Sequence, residues 1–192
     1  MAVIVVGGQT KHVGKTTLIC NIIAAFPALR WTAVKISSHQ HATENCVVLK
    51  ERAGWRILQQ NRTADHSDTA RFLESGADRA LLLQTENYSL KEACSWLASE
   101  ISPATVVIVE SASAAEFLRH DLLLLVLSAD QTDFKTSAEE LLARADVFVR
   151  RGQGAGNKGI AGASETPVFR AFRNRIDPAL LRMLATKLPS EY

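Results

Sequence analysis

Cysteine is scarce in this sequence. Its three cysteines, Cys20, Cys46 and Cys94, lie far apart in the 192 residues and none belongs to a C-x-x-C pair. A disulfide framework is built from an even number of cysteines, and a zinc site from closely paired ones. The sequence therefore argues against both, and we expect the thiols to be reduced, as they are in cytoplasmic proteins.

Long hydrophobic runs are missing as well. The longest are Val3–Val6, Thr105–Val109 and Leu122–Leu127, and each is much shorter than the roughly 20 apolar residues of a membrane-spanning helix. The first residues show no basic segment ahead of an apolar one, which a secretory signal would have. The sequence therefore predicts a cytoplasmic protein with no membrane partner.

No charge of one sign dominates. Lys and Arg number 22 and Asp and Glu number 20, so the net charge is +2, and this gives no reason to expect nucleic acid as a partner. The charge is unevenly spread, because residues 150–192 contain eight basic and three acidic side chains. We interpret this basic tail as a solvated surface, with contact to an anionic ligand as the alternative.

What the sequence does contain is a regular alternation of strand-like and helix-like segments. The predicted strands are Ala2–Val6, Thr32–Ile36, Ala80–Leu83, Thr105–Glu110, Leu122–Ser128 and Val147–Arg150. The predicted helices are Thr16–Phe26, Ser67–Ser75, Leu90–Glu100, Ser137–Ala145 and Pro178–Leu188. This alternation predicts an α/β fold, a three-layer αβα sandwich whose mostly parallel sheet has about six to seven strands. The chain length predicts a single domain over residues 1–192.

Two segments depart from this alternation. In residues 45–62, the apolar runs Cys46–Leu49 and Trp55–Leu58 flank a turn that contains Gly54, which predicts a β-ribbon appended to the domain. Residues 151–164 are rich in glycine and poor in large apolar side chains. We interpret them as a loop, and a loop of this length in a compact domain is often functional.

One short stretch indicates a phosphate-binding loop. Residues 7–17 read GGQTKHVGKTT, whereas the P-loop pattern G-x-x-x-x-G-K-[ST] requires glycine at the position of Gln9. The second half of the pattern, Gly14-Lys15-Thr16, is intact. A strand precedes the loop and a helix follows it, which is the order that lets backbone N–H groups, the helix dipole and a lysine hold phosphate together. We therefore predict a nucleotide site, although G-K-T alone is a common tripeptide.

The pattern assigns a role to several loop residues. Lys15 is expected to bridge the β- and γ-phosphates, Thr16 to place its hydroxyl on Mg²⁺, and Thr17 to reach the α-phosphate. The predicted nucleotide-binding residues are Gln9, Thr10, Lys11, His12, Val13, Gly14, Lys15, Thr16 and Thr17. Lys11 could also act across a dimer, as a loop lysine of partition ATPases does, and no catalytic role is given to His12.

Further along, the chain resembles the molybdopterin-guanine dinucleotide biosynthesis protein B (MobB) family, a P-loop NTPase family of the MinD and dethiobiotin synthetase class. The segments that carry the resemblance are Gly14–Leu18, Val34–His41, Ser67–Leu83 and Thr105–Ser111. They match the family's G-K-T-T-L, its lysine followed by a histidine-containing loop, its helix with Asp before Gly-Ala-Asp and a strand, and its strand that ends in an acid. Ser111 follows this acid where the family usually has glycine.

The resemblance implies a Mg²⁺-dependent protein that binds GTP, or ATP, and is at most a slow NTPase. Its expected role is that of an accessory in molybdenum cofactor biosynthesis, with molybdopterin and a biosynthetic enzyme as partners, and the class predicts a homodimer. Guanine is implied by the resemblance alone. Two other interpretations stay open: an ATP-dependent small-molecule ligase or kinase of the dethiobiotin synthetase type, and a nucleotide-binding adaptor without catalysis.

Acidic residues complete the predicted site. Glu110 ends a predicted central strand, where a carboxylate can hold Mg²⁺ or water near the γ-phosphate, so Lys15 and Glu110 are the predicted catalytic residues. Thr16, Glu110 and Asp68 are the predicted metal ligands. Helix capping alone would also explain Asp68. Lys35 lies at the end of another predicted strand. The sequence is equally compatible with contact between its side chain and an anionic ligand and with no such contact.

Several other polar residues stay ambiguous. His39 and His41 stand on alternate residues and could face one side of an extended segment as metal or anion ligands, although solvated loop histidines are the commoner case. Asp130 and Asp133 follow a predicted strand and have the same ambiguity as Asp68.

Overall fold

The computed structural model describes residues 2–38, 45–61, 66–101, 105–152, 166–172 and 175–189. The strands are β1 (Ala2–Gly8), β2 (Trp31–Ser37), β3 (Cys46–Arg52), β4 (Trp55–Gln60), β5 (Arg79–Thr85), β6 (Val106–Glu110), β7 (Leu122–Ser128), β8 (Val147–Arg151), β9 (Val168–Phe172) and β10 (Arg175–Ile176). The helices are α1 (Lys15–Ala25), α2 (Asp68–Glu74), α3 (Leu90–Glu100), α4 (Thr136–Leu142) and α5 (Pro178–Lys187). Two short 3₁₀ turns lie at Asn87–Ser89 and Ser113–Glu116.

The ten strands form one sheet with the order β10-β9-β8-β7-β1-β6-β2-β5-β4-β3. Neighbours are parallel from β9 through to β5, whereas β10, β4 and β3 are added in antiparallel pairings. The predicted α/β class with a mostly parallel sheet is confirmed. The predicted number of strands, six to seven, is too small.

The buried side chains form two clusters, one on each face of the sheet. Successive residues of β1 alternate between them: Ile4 and Val6 pack with residues of α1, α2 and α5, and Val3 and Val5 pack with residues of α3 and α4. Because both faces are covered, both sets of side chains must be apolar. This explains why the strand reads as a continuous apolar run, and it confirms the three layers.

The segment of residues 45–62 forms the predicted hairpin, β3 and β4, but the hairpin is not an appendage. β4 pairs antiparallel with β5, with Trp55 beside Thr85, so the hairpin continues the main sheet. The buried Trp55 ring lies 6.0 Å from the Trp96 ring of α3, centroid to centroid. This packing holds the hairpin on the sheet and accounts for two of the strands beyond the predicted number.

The remaining extra strands are β9 and β10, which were missed because they are short and follow the glycine-rich segment. Of that segment, only Arg151 and Gly152 are described, so the predicted loop over residues 151–164 lies mostly outside the described residues. None of the helices in the described ranges is long and apolar enough to cross a membrane. The single domain over residues 1–192 stays a prediction.

Candidate functional site

The predicted site residues come together at the carboxyl edge of the central strands. Parallel strands end at the same edge of a sheet, and β1 lies directly beside β6, which in turn lies beside β2. In this register Val6 of β1 pairs with Glu110, and Lys35 of β2 pairs with Glu110 from the other side. The loop between β1 and α1 therefore leaves the sheet next to Glu110.

Gly14 gives this loop its turn into α1. Its φ of 96° lies in the left-handed region that favours glycine, and α1 begins at the next residue, Lys15. Since Gly14 has no side chain to cap the helix, the first N–H groups of α1 remain available to an acceptor outside the helix. Together with the helix dipole they suit a bound anion.

Gln9 is the residue that breaks the P-loop pattern, and it is almost completely buried, with 1% exposure. Its side-chain Nε2 donates to the carbonyl oxygens of Gln131 and Asp133, both at 3.0 Å. Its Oε1 accepts a hydrogen bond from the backbone N–H of Ser128 at 2.8 Å. Every polar group of this side chain is thus hydrogen-bonded to the backbone at the end of β7 or just after it, so Gln9 anchors the loop in a way that glycine could not.

A cavity of about 620 Å³ opens beside the loop. Within residues 9–17, the cavity is lined by Lys11, His12, Gly14, Lys15, Thr16 and Thr17. Gln9, Thr10 and Val13 face elsewhere: the Thr10 hydroxyl donates to the side chain of Gln131 at 2.8 Å, and Val13 packs in the core. The structure gives these three residues a role in shaping the loop, and their contact with nucleotide stays a prediction.

Glu110 is the centre of the charged groups in the cavity. Its side chain is 2% exposed, and Oε2 accepts a hydrogen bond from the Thr16 hydroxyl at 2.7 Å. Its other oxygen, Oε1, lies 2.6 Å from the Lys35 ammonium and 3.9 Å from that of Lys15. Lys35 also contacts Asp68 Oδ2 at 2.8 Å. The three predicted metal ligands are therefore close together, but with the cation of Lys35 between two of them.

The two lysines respond differently to these surroundings. Burial lowers the pKa of Lys15, and the attraction of Glu110 offsets this only in part. Burial also acts to lower the pKa of Lys35, but Glu110 and Asp68 outweigh it and the pKa is raised. For Asp68, burial is outweighed by Lys35, so the pKa of this carboxyl is lowered. Lys35 is therefore the closer cation of Glu110, and the ammonium of Lys15, which burial disfavours, would be stabilised by a bound anion.

The oxygen donors at this point fit Mg²⁺. The ion prefers hydroxyl, carboxylate, water and phosphate oxygens at about 2.0–2.1 Å in an octahedron, and the 2.7 Å between the oxygens of Thr16 and Glu110 suits two neighbouring ligands. In the described part of the chain no three His, Cys, Asp or Glu residues are grouped as a metal site. Mg²⁺ would therefore need phosphate and water oxygens to complete its shell.

Two arginines at the site were not predicted from the sequence. Arg151, at the end of β8, donates from Nη1 to the carbonyl oxygen of Gly14 at 2.8 Å, and its guanidinium fills the space where a Cβ of residue 14 would lie. Arg71 donates to the hydroxyl of Thr17 at 3.3 Å and lies 3.5 Å from Asp68. The one sequence signal for Arg71 is its place three residues after Asp68 on a helix.

Other predicted candidates fall away from this cluster or beyond the description. His39 and His41 lie outside the described residues, so their role stays a prediction. Asp133 contributes its backbone carbonyl to Gln9, and neither it nor Asp130 lines the cavity.

The chain matches no protein-family model, and a comparison with curated proteins gave no match. Solved structures do match. HypB from Helicobacter pylori in complex with nickel has a TM-score of 0.60 and 14% identity over 97% of this chain and 84% of that chain. LpxK from Aquifex aeolicus in complex with ATP has a TM-score of 0.53 and 16% identity over 88% of this chain.

The chain shares the fold of these solved structures, an α/β fold in which helices flank a mostly parallel sheet. The chain spans 53% of the length of the LpxK chain, and at these identities the likeness shows the fold alone. The resemblance to the MobB family depends on the sequence motifs, without support from a family model.

Proposed function

We propose that this protein binds a purine nucleoside triphosphate together with Mg²⁺, with its phosphates on the loop from Lys11 to Thr17, and that it hydrolyses the nucleotide slowly at most. The observation that carries this proposal is the convergence of Lys15, Thr16 and Glu110 within 4 Å at the beginning of α1. The ammonium of Lys15 would then be available to a phosphate, and the hydroxyl of Thr16 and the carboxylate of Glu110 to its metal ion.

In this proposal each residue has a defined task. The N–H groups of the first turn of α1 and the ammonium of Lys15 bind phosphate oxygens, while Thr16 and Glu110 hold Mg²⁺. The ion, when bound, would neutralise the charge that develops on the phosphates during transfer. While Thr16 and Lys35 occupy both oxygens of Glu110, this carboxylate is a poor base for water, and with Mg²⁺ bound its task would be to hold the ion. This supports slow hydrolysis.

The finer assignment, based on the resemblance to the MobB family, is GTP as the nucleotide and an accessory role in molybdenum cofactor biosynthesis. Molybdopterin and a partner biosynthetic enzyme would be its partners, in the cytoplasm. The supporting segments are Gly14–Leu18, Ser67–Leu83 and Thr105–Ser111. A homodimer is part of the same proposal, and sedimentation with nucleotide present would test it.

A second candidate function is an ATP-dependent small-molecule kinase or ligase. The observation that favours it is the extension of the cavity beyond the phosphate loop, along Ser37, Ser38, Thr85 and Asn87. These hydroxyl and amide groups could hydrogen-bond a small polar acceptor. Phosphate release that rises when such an acceptor is added would favour this function over the accessory role, whereas binding with no release would favour an adaptor.

The deciding experiment is calorimetric titration of the protein with GTP, ATP, GDP and ADP, with and without Mg²⁺. We expect Lys15→Ala to weaken triphosphate binding by at least about 1.5–3 kcal/mol, or roughly 10- to 150-fold, because a charged hydrogen bond is lost. Lys91→Ala, on the exposed face of α3, serves as the matched control and should bind as the parent protein does. Unchanged affinity of the Lys15 variant would contradict the proposal.

A further inference from the structure

Lys35 occupies an unusual position among the groups of the cavity. It lies near the end of β2, beside Glu110 of β6, and it reaches Asp68 at the beginning of α2. Its ammonium is 2.6 Å from Glu110 Oε1 and 2.8 Å from Asp68 Oδ2. A single cation thus joins two carboxylates that come from separate elements of the fold.

The other cations nearby do not replace it. Lys15 is 3.9 Å from Glu110, and Arg71 is 3.5 Å from the outer oxygen of Asp68. A buried carboxylate such as Glu110 is unstable without a close cation or hydrogen-bond donors. Removing the Lys35 charge would therefore leave two carboxylates facing each other, with the Thr16 hydroxyl at 2.7 Å and the more distant Lys15 ammonium at 3.9 Å as the partners of Glu110 among the described residues.

The other species that suits two carboxylates and a hydroxyl is a small divalent cation. Glu110 Oε1 and Asp68 Oδ2 are the oxygens that hold the ammonium, so the same pair cannot bind Mg²⁺ while Lys35 remains in place. We propose that Lys35 is a built-in cation that holds Glu110 and Asp68 together without metal, and that Mg²⁺ comes between these two carboxylates only when Lys35 leaves. Lys35 thereby sets the Mg²⁺ requirement of the site.

This inference rests on the Mg²⁺ part of the proposed function but not on nucleotide binding. The released ammonium still lines the cavity, where an anionic ligand is its natural partner. Binding of a phosphate ligand and entry of Mg²⁺ would then favour each other, because the phosphate stabilises the displaced Lys35.

The test is thermal unfolding of the nucleotide-free protein against Mg²⁺ concentration at constant ionic strength. We expect the Tm of the parent protein to be insensitive to Mg²⁺. Lys35→Met should unfold at a lower temperature, and Mg²⁺ should raise its Tm by about 4 °C or more, since the ion replaces the missing charge. Lys35→Arg keeps the charge and should be as insensitive as the parent protein.

Lys135→Met is the matched control. Lys135 also lines the cavity and is partly buried, but within the described ranges it forms no ion pair, so Mg²⁺ should leave the Tm of this variant unchanged. Adding Glu110→Gln to Lys35→Met should abolish the Mg²⁺ effect. Equal Mg²⁺ stabilisation of the parent protein and Lys35→Met, or none in either, would overturn the inference.

A second measurement covers the case in which Lys35→Met does not fold without metal. Titration with Mn²⁺, followed by electron paramagnetic resonance, reports binding directly, and a variant prepared in Mg²⁺ should bind Mn²⁺ at least tenfold more tightly than the parent protein. Equal Mn²⁺ affinities would count against the inference. If nucleotide binding fails while the Lys35 variant still gains Mg²⁺ binding, the proposed function falls and the inference stands.

Discussion

Single residues decide how the phosphate loop is held. Gln9 replaces a glycine of the P-loop pattern, yet its side chain is hydrogen-bonded to the backbone at three positions, one at the end of β7 and two after it. Its own backbone adds two more bonds, since its N–H donates to the carbonyl of Val126 at 2.8 Å and its carbonyl accepts from the N–H of Lys135 at 3.1 Å. The start of the loop is therefore held to the end of β7 and to the residues that follow it.

We expect Gln9→Ala to lower the free energy of unfolding by about 2–4 kcal/mol, because the partly buried N–H of Ser128 and two partly buried carbonyl groups lose their partner. Urea unfolding measures this. Thr10→Ala, which removes one exposed hydrogen bond from the same loop, is the control and should change the stability by less than about 1 kcal/mol. A Gln9 variant as stable as the Thr10 variant would contradict the anchoring role.

The sequence predicts only part of the site at this scale. Lys15 and Thr16 are predictable because their roles depend on neighbours within one short motif. The role of Gln9 is not, because its partners lie more than a hundred residues away. The role of Lys35 is not predictable from the sequence either, because its contact with Glu110 depends on β2 and β6 being adjacent in the sheet.

At the scale of elements, the beginning of α1 is a tightly constrained position. Gly14 and Gly76 both have a positive φ, 96° and 107°. They differ in their surroundings: a Cβ at residue 14 would collide with the guanidinium of Arg151, whereas at residue 76 its nearest neighbour is Ile23 at 3.9 Å. A comparison of alanine substitutions at the two glycines therefore separates the energetic cost of backbone strain from that of steric crowding.

We expect Gly76→Ala to cost about 1–2 kcal/mol of unfolding free energy, from strain alone. Gly14→Ala should cost more, because Arg151 must also move and lose its bond to the carbonyl of residue 14. It should also weaken phosphate binding, which Gly76→Ala should leave intact. Denaturant unfolding and titration with a nucleoside triphosphate check both points, and equal effects of the two variants would contradict the crowding.

The sequence predicts best those helices and strands whose apolar residues follow a clear pattern. The patterns over Leu90–Glu100 and Leu122–Ser128 give α3 and β7 with the same bounds in the structure. The hairpin over residues 45–62 was recognised, but its pairing with β5 was not, because edge pairing depends on where β5 lies in the sheet. The short strands β9 and β10 have too few residues for a period to be visible.

At the scale of the whole molecule, the site depends on the order of the strands. β1 lies between β6 and β7, so Ala2 pairs with Val106 and Ile4 with Leu122. Such distant pairings make folding slow and keep the central strands from forming independently of one another. The sheet and the phosphate loop should therefore form in the same step.

Refolding from urea gives a direct check of this. The tryptophans Trp31, Trp55 and Trp96 lie in β2, β4 and α3, and their fluorescence reports formation of the sheet. We expect capture of a fluorescent nucleoside triphosphate to appear at the same rate as the tryptophan signal. Nucleotide capture that clearly precedes the tryptophan signal would show that the loop forms without the sheet.

The central place of β1 also has a consequence for the protein as it is being made. During synthesis β1 can pair with β6 only after residue 110 has been made and with β7 only after residue 128, since both partners come later in the chain. Throughout that interval the apolar residues of β1 and the basic residues of the loop between β1 and α1 lack the neighbours that cover them in the folded protein. We therefore expect β1 of the nascent chain to need protection from aggregation, and the phosphate site to form only after β6 and β7 have been made.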